Sequence, residues 1–369
     1  MKLKPWQIDV KIRDSINKVA TLENGLFAMI VDCIKRNVQD NQLEDMKSSD
    51  WKQAMFNNTE LNVTSTALIT SVMNEVTKDL SYQIKNKDSY KSKSFDTWIN
   101  KQAKQGNLKR DFNSSSSRKV INKHLKNDPK YLRLARNNMK KNTYSLYRKV
   151  ISDAIVEFQG SRDISTQEAI VNALKKSAQI GVPALIDSAG KEWSPEVYTR
   201  LVMANSLNQV SSDFGLSEFT DSGGKLVRVS SHAASRPSHR PFQDNIYCLH
   251  GETSDYPNIR VTGYGGASGI GGINCRHYLI PYVPGAGEFN PAPKVSDKEN
   301  DRVYQLTQKQ RALERGVRRA KRQEYAAEQL GNDRQIGLAK QTVRTQQAHV
   351  RGFVRDNDLT RQYEREQIY

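Results

Sequence analysis

The sequence predicts an α+β fold in three parts: a mainly helical N-terminal arm, a small α+β central domain with glycine-rich loops, and a C-terminal antiparallel helical hairpin. Three observations carry that expectation. Apolar residues recur at helical spacing through the first part of the chain and again after Pro293. Two short runs of β-forming residues, 226–230 and 246–249, border a loop-rich stretch dense in glycine. Near the C-terminus, Gly331-Asn332 separates two long apolar seams. At 369 residues the chain exceeds the roughly 250–300 residues at which one core stops growing, so two or three domains are expected.

Residues 1–85 are assigned to the helical arm, where Leu22, Leu26, Ile30, Cys33 and Ile34 share one helix face. Residues 86–127 are rich in Lys, Asn and Ser and contain the run Ser114-Ser115-Ser116-Ser117. They are expected to form a basic polar linker with too little apolar surface for a core. Residues 128–292 form the central α+β domain. It opens with a helix carrying Tyr131, Tyr147, Val150, Ile151, Ile155 and Phe158, and the basic run 133–149 on that element is expected to be a solvated face in preference to a dedicated DNA-reading helix.

Ser165-Thr166-Gln167-Glu168 has the form of a capping box and starts a helix that ends near Gly181. Residues 183–193 predict a short hairpin turned by 187–190. Ser194 as cap, Pro195 at the first helical position and Glu196 at the positive end of the dipole start the next helix. Val197, Leu201, Leu207 and Val210 are its apolar positions, and Gly215 is expected to end it. Strands are expected at 226–230 and 246–249. Residues 293–369 form the basic hairpin, with Val303, Leu306, Leu313, Val317 and Ala320 on one seam and Ile336, Ala339, Val343, Val350 and Phe353 on the other.

Lys and Arg number 57 against 40 Asp and Glu, a formal charge of +17, so the surface attracts polyanions. Cys33, Cys248 and Cys275 are few, odd in number and far apart, which does not suit a disulfide-stapled secreted domain. No stretch approaches the ~18 apolar residues of a membrane span, and the start has no cleavable leader pattern. A soluble protein of a reducing cytoplasm is expected.

Four of six histidines and two of three cysteines lie between His232 and His277. Imidazole and thiolate are zinc ligands, which makes His232, His239, Cys275 and His277 a candidate metal set, with Cys248 and His250 as substitutes. The spacing, six residues within one pair and one within the other, departs from the close pairs of familiar structural sites. A nucleophilic Cys275 activated by His232 or His239 is a second reading, with no evident third group to orient the base. A structural role, in which polar side chains and the glycines Gly263, Gly265, Gly266, Gly269, Gly271 and Gly272 shape long loops, is the simplest. A phosphate-binding loop is excluded by context, because neither a following Lys-Ser/Thr pair nor a helix start is present.

The segments SSHAASRPSHRPFQ, TGYG, GGINCRH and PYVPG, with EWSPEVYTRLVMANSLNQ upstream and YQLTQKQRALERGVRRAKR and LTRQYERE downstream, resemble the phage minor capsid protein 2 family of Gram-positive phages. The wider relatives are the Mu F-like head morphogenesis proteins. The resemblance covers residues 182–369, the first half being less distinctive. Positions that match its motifs are Ser231, His232, Arg236, Pro237, His239, Gly251, Gly263, Gly265, Asn274, Cys275, Arg276 and His277. It implies a non-enzymatic structural protein in few copies per virion, assembled in the host cytoplasm without a membrane. Its place would be inside the capsid near the portal vertex, with the portal protein and the major capsid or scaffolding protein as partners. Some of the wider relatives carry a toxin or nuclease domain after this unit; only a short tail follows the hairpin here, so none is expected. No cofactor is expected beyond the candidate zinc that the histidines and cysteines themselves raise.

Non-specific contact with viral double-stranded DNA fits the charge, and Arg315, Arg318, Arg319, Lys321 and Arg322 are the candidate phosphate contacts. The competing function is a zinc- or cysteine-dependent hydrolase or nuclease carried in the virion. Sequence-specific DNA binding is disfavoured, since no helix-turn-helix or zinc-finger spacing occurs.

Overall fold

The computed structural model describes residues 3–40, 47–109, 114–160, 164–251, 253–289, 294–331 and 333–368. The segment boundary at 292–293 and the turn residue Asn332 lie outside them. Element order is α1 (Pro5–Asp40), α2 (Trp51–Met55), α3 (Thr59–Lys85), α4 (Lys93–Lys104), α5 (Ser114–Asn127), α6 (Pro129–Gly160) and α7 (Thr166–Ile180). The hairpin β1 (Leu185–Ile186) and β2 (Glu192–Trp193) follows, then α8 (Pro195–Asp221), β3 (Leu226–Val229), β4 (Ile246–Cys248), β5 (Leu279–Val283), β6 (Gly287–Glu288), α9 (Asp297–Leu330) and α10 (Asp333–Asp356). The fold is thus α+β with helices dominant.

Two compact units are formed by discontinuous stretches: Met1–Arg13, Lys78–Tyr131 and Arg200–Gln308 make one; Asp14–Thr77, Leu132–Thr199 and Lys309–Tyr369 make the other. The first holds the larger sheet, in the order β4-β3-β5-β6 with every pair antiparallel. Its core joins Val227 and Val229 of β3, Tyr247 of β4, Leu279 and Val283 of β5, Leu216 and Phe219 of α8, and Phe95 and Ile99 of α4. Residues 86–127 therefore do more than link. In α4, Phe95 and Ile99 are four apart and share a helix face, and Phe95 packs edge-on against Phe289 with ring centroids 5.1 Å apart. Two large side chains at that spacing anchor a helix although its average composition is polar, since each contributes roughly 1.5–3 kcal/mol when fully buried.

Helix α8 runs through Gly215 to Asp221 instead of ending there. A mid-helix glycine costs about 1 kcal/mol relative to alanine, and burial of Phe214, Leu216 and Phe219 around it outweighs that cost. On β3, Arg228 is buried between two acids, 2.5 Å from Asp244 and paired also with Glu288. All four positions of β3 are thus buried.

In the second unit, the face of α1 carrying Leu22, Leu26, Ile30, Cys33 and Ile34 is buried. The Tyr147 hydroxyl of α6 donates to the Met55 carbonyl at 2.6 Å and accepts from Asn37 at 2.8 Å, tying α6 to α1 and α2. The capping box at Ser165 and Glu168 is formed in both directions. In the β1–β2 turn, the Asp187 carboxylate accepts from the Ala189 and Lys191 amides and from the Trp193 indole. Helices α9 and α10 run antiparallel, as Lys309 lies over the Phe353 ring and Lys340 lies 3.6 Å from Glu328. Gly331, at φ 70°, makes the left-handed turn out of α9.

Candidate metal centre

The histidine and cysteine positions are set by the β3–β5 pairing. β3 continues past Val229 into Ser230, whose amide donates to the Tyr278 carbonyl at 3.0 Å while its hydroxyl accepts from the Tyr278 amide at 3.0 Å. That register lays His232 beside His277, with ring centroids 4.3 Å apart. Cys275, Arg276 and His277 lead into β5 as buried, exposed, buried. In extended chain, residues two apart share a side, so Cys275 and His277 face inward together.

His239 arrives from the other direction. Its amide donates to the Arg236 carbonyl in a turn at 2.9 Å. The Arg236 guanidinium donates to the Ile273 carbonyl at 2.6 Å, pinning the glycine-rich loop against this turn. Within that loop Gly263 takes φ 71°, and a Cβ on Gly269 would lie 1.9 Å from the Gly263 oxygen, closer than any side chain allows. The tight approach holds the Ser268 carbonyl 2.7 Å from Nε2 of His239. Asn274, itself at φ 56°, turns the chain just before Cys275. Its amide donates to Asn205 of α8, and Asn208 and Gln209 of the same helix donate to the carbonyls of Cys275 and Gly271.

The outcome is a compact buried group. Ligand atoms of His239, Cys275 and His277 all lie within 4.8 Å of one another. Cys275 Sγ is 3.5 Å from His239 Nδ1 and 3.3 Å from His277 Nδ1, and His277 Nε2 is 3.0 Å from the Gln243 side-chain oxygen. The three residues are only 2–6% exposed. His232 stacks against the group without joining it, its Nδ1 bonding to the Ala233 carbonyl at 2.8 Å. The substitutes also fall outside: Cys248 is buried in the β4 ladder, where it pairs with Leu226, and His250 is exposed.

Such a site can hold a soft divalent cation. Both His239 and His277 reach the thiol, and Cys275 is only 6% exposed. Other motif positions serve the scaffold. The Ser231 hydroxyl accepts from the Val295 amide at 3.2 Å, and Gly251, at φ 70°, offers its carbonyl to the Asn258 side chain at 2.6 Å. Beside them Asn300 of α9, fully buried, accepts from the Ser235 amide at 2.7 Å, and Arg240 binds Asp301 at 2.5 Å.

Gln243 and Ser268, which orient the two rings, were not singled out by sequence reasoning. Gln243 closes the SSHAASRPSHRPFQ segment, the one hint available. Neither were the α8 residues Asn205, Asn208 and Gln209, whose polar side chains sit on an otherwise ordinary helix.

The basic candidates on α9 divide. Arg315 and Arg319 are exposed. Arg318 donates to the Arg365 carbonyl, Lys321 reaches Gln367 at 2.5 Å, and Arg322 pairs with buried Glu23 at 3.0 Å. Burial pushes the Glu23 carboxyl above its ordinary pKa, and the Arg322 charge opposes that shift. Burial likewise lowers the Arg318 guanidinium below its usual value. Among the described residues, Arg318, Lys321 and Arg322 thus have internal partners, while Arg315 and Arg319 are exposed.

Comparison with known proteins gives one family. The family model described as phage minor capsid protein 2 matches residues 3–355, so the helical first half belongs to the matched unit as well. A structural protein of Lactococcus phage LL-H is 36% identical over 210 residues, which is 55% of this chain and 56% of that protein. A structural protein of Lactococcus phage mv4 is 41% identical over 114 residues, covering 31% of this chain and 92% of that protein. The chain thus spans little more than half the length of the LL-H protein. No solved structure matches at a significant level.

Proposed function

The chain belongs to the phage minor capsid protein 2 family, and from that premise we propose that it is built into the phage head on the inner side of the shell, at or near the portal vertex. There one surface docks on the portal protein and on major capsid or scaffolding protein, and the basic helices lie against packaged double-stranded DNA. The observation that carries the reading is the family match along nearly the whole chain, joined to a net charge of +17.

A polyanion contact of this kind needs exposed cations without a groove-reading element. Arg315 and Arg319 on α9 and Arg334, Arg344, Arg351 and Arg355 on α10 are exposed and meet that need. The burial of Cys275 favours a structural over a hydrolytic role for the histidine-cysteine group. Among the described residues no helix is long and apolar enough to cross a membrane.

Sedimentation of infected-cell lysates tests assembly. The chain is expected to travel with procapsids before DNA is packaged and to be lost from them when the portal protein is deleted. Chain found only at the top of the gradient contradicts the reading.

A further inference from the structure

We propose that His239, Cys275 and His277 bind a zinc ion, through Nδ1 of each histidine and the thiolate of Cys275, and that this ion locks the glycine-rich loop onto the end of the β3–β5 ladder. The argument begins with hydrogen-bond accounting. The Ser268 carbonyl only accepts, so the His239 nitrogen facing it, Nε2, carries the proton and Nδ1 presents a lone pair. Gln243 Oε1 also accepts from the backbone amide of His232 at 2.9 Å, which identifies that atom as the oxygen. His277 Nε2 faces the same oxygen and is therefore the protonated nitrogen, leaving the Nδ1 lone pair toward Cys275.

Two nitrogen lone pairs thus converge on one sulfur, and a thiol brings a single proton to both. By protons alone both rings are satisfied only if at least one of them is a buried imidazolium donating to the sulfur while the other accepts the thiol proton, at a desolvation cost. A divalent cation takes all three lone pairs at once. The sulfur–nitrogen spacing suits it: Zn–S near 2.3 Å and Zn–N near 2.0–2.1 Å at the tetrahedral angle put sulfur and nitrogen about 3.5 Å apart, and the two separations are 3.5 and 3.3 Å.

The surroundings follow the same logic. Histidine ligands of zinc almost always pass their second N–H to a carbonyl, carboxylate or water, which fixes the tautomer and the ring orientation. Ser268 and Gln243 do this for the two rings. A soft thiolate with two imidazoles selects zinc over magnesium or calcium, which prefer oxygen. Three protein donors leave one tetrahedral position for a small donor such as water. The three residues come from two separate loops, so the ion cross-links segments that share little regular secondary structure.

The test is metal analysis of the full chain purified from zinc-supplemented cells, followed by cobalt substitution. About one zinc per folded chain is expected, and cobalt should give a thiolate-to-metal charge-transfer band with the intense visible bands of four-coordination. Cys275→Ser should abolish the charge-transfer band, and His239→Asn should lower zinc content at least about tenfold. Circular dichroism keeps the variants interpretable, and the cobalt spectrum of the unaltered chain stands whether or not a variant folds. A folded chain with no bound zinc and no cobalt spectrum overturns the proposal, as does a charge-transfer band that survives in Cys275→Ser.

Discussion

His277 holds its Nε2 3.0 Å from the Gln243 side-chain oxygen, and that contact decides which face of the ring meets Cys275. Without the oxygen the ring is free to flip, and the Nδ1 lone pair no longer points at the sulfur. The contact spans 34 residues of sequence, so it also tells how the centre depends on the loop after His239 being in place.

Gln243→Leu should therefore weaken zinc binding by roughly 10- to 100-fold while leaving all three ligands intact. Competition against a chromophoric chelator reads the change. Unaltered affinity in this variant would separate Gln243 from the metal and leave it a loop residue.

Arg228 should be among the costliest single positions in the sheet. Arg228→Met leaves Asp244 and Glu288, 19% and 20% exposed, without their cation, a loss of up to roughly 3 kcal/mol, the lower end for a broken buried pair. Urea unfolding should show the midpoint fall sharply. Replacing all three residues by apolar ones of similar volume should recover much of the loss.

His124 predicts a dependence on alkaline pH. Burial works against its charge, but hydrogen bonds to Asp128 at 2.9 Å and Asp213 at 3.2 Å win, and the pKa rises from 6.5 to about 9. Because the folded value lies above the unfolded one, the stabilisation is complete below pH 6.5 and disappears as pH rises through 9. Its size is about 3 kcal/mol from the linkage relation. Melting curves at pH 6 and pH 9.5 should differ more for the unaltered chain than for His124→Gln; equal differences contradict the assignment.

The basic residues of α9 should separate into two classes. Arg315→Ala and Arg319→Ala should each reduce the salt slope of DNA binding by about 1 without changing stability. Arg322→Ala should instead lower the melting temperature, since it strands buried Glu23. Filter binding across a salt series and calorimetry distinguish them.

Local chemistry was legible in the sequence wherever it acts between near neighbours. The Ser165–Glu168 box, Pro195 at the start of α8 and the turn at Asp187 are all formed by residues within six positions of one another. Of the histidines and cysteines concentrated between His232 and His277, the fold gathers His239, Cys275 and His277 into one buried group. What stayed hidden depends on long-range packing. No local pattern says that Phe95 meets Phe289 across the core, which turns a polar stretch into part of a domain. Gly215 looked like a stop because its cost is local, while the burial that overrides it comes from the sheet. The same holds for Arg318, Lys321 and Arg322, whose partners lie 46 or more positions away, and for His232, which the strand register places beside the centre and not in it.

The central claim, that this chain is a structural part of the phage head lying inside the shell, is tested most directly by quantitative mass spectrometry of gradient-purified, DNA-filled particles before and after protease treatment. The prediction is that its peptides are present in the particles and resist protease until the heads are opened. Absence from particles while the chain is abundant in the lysate, or digestion from intact heads, contradicts it.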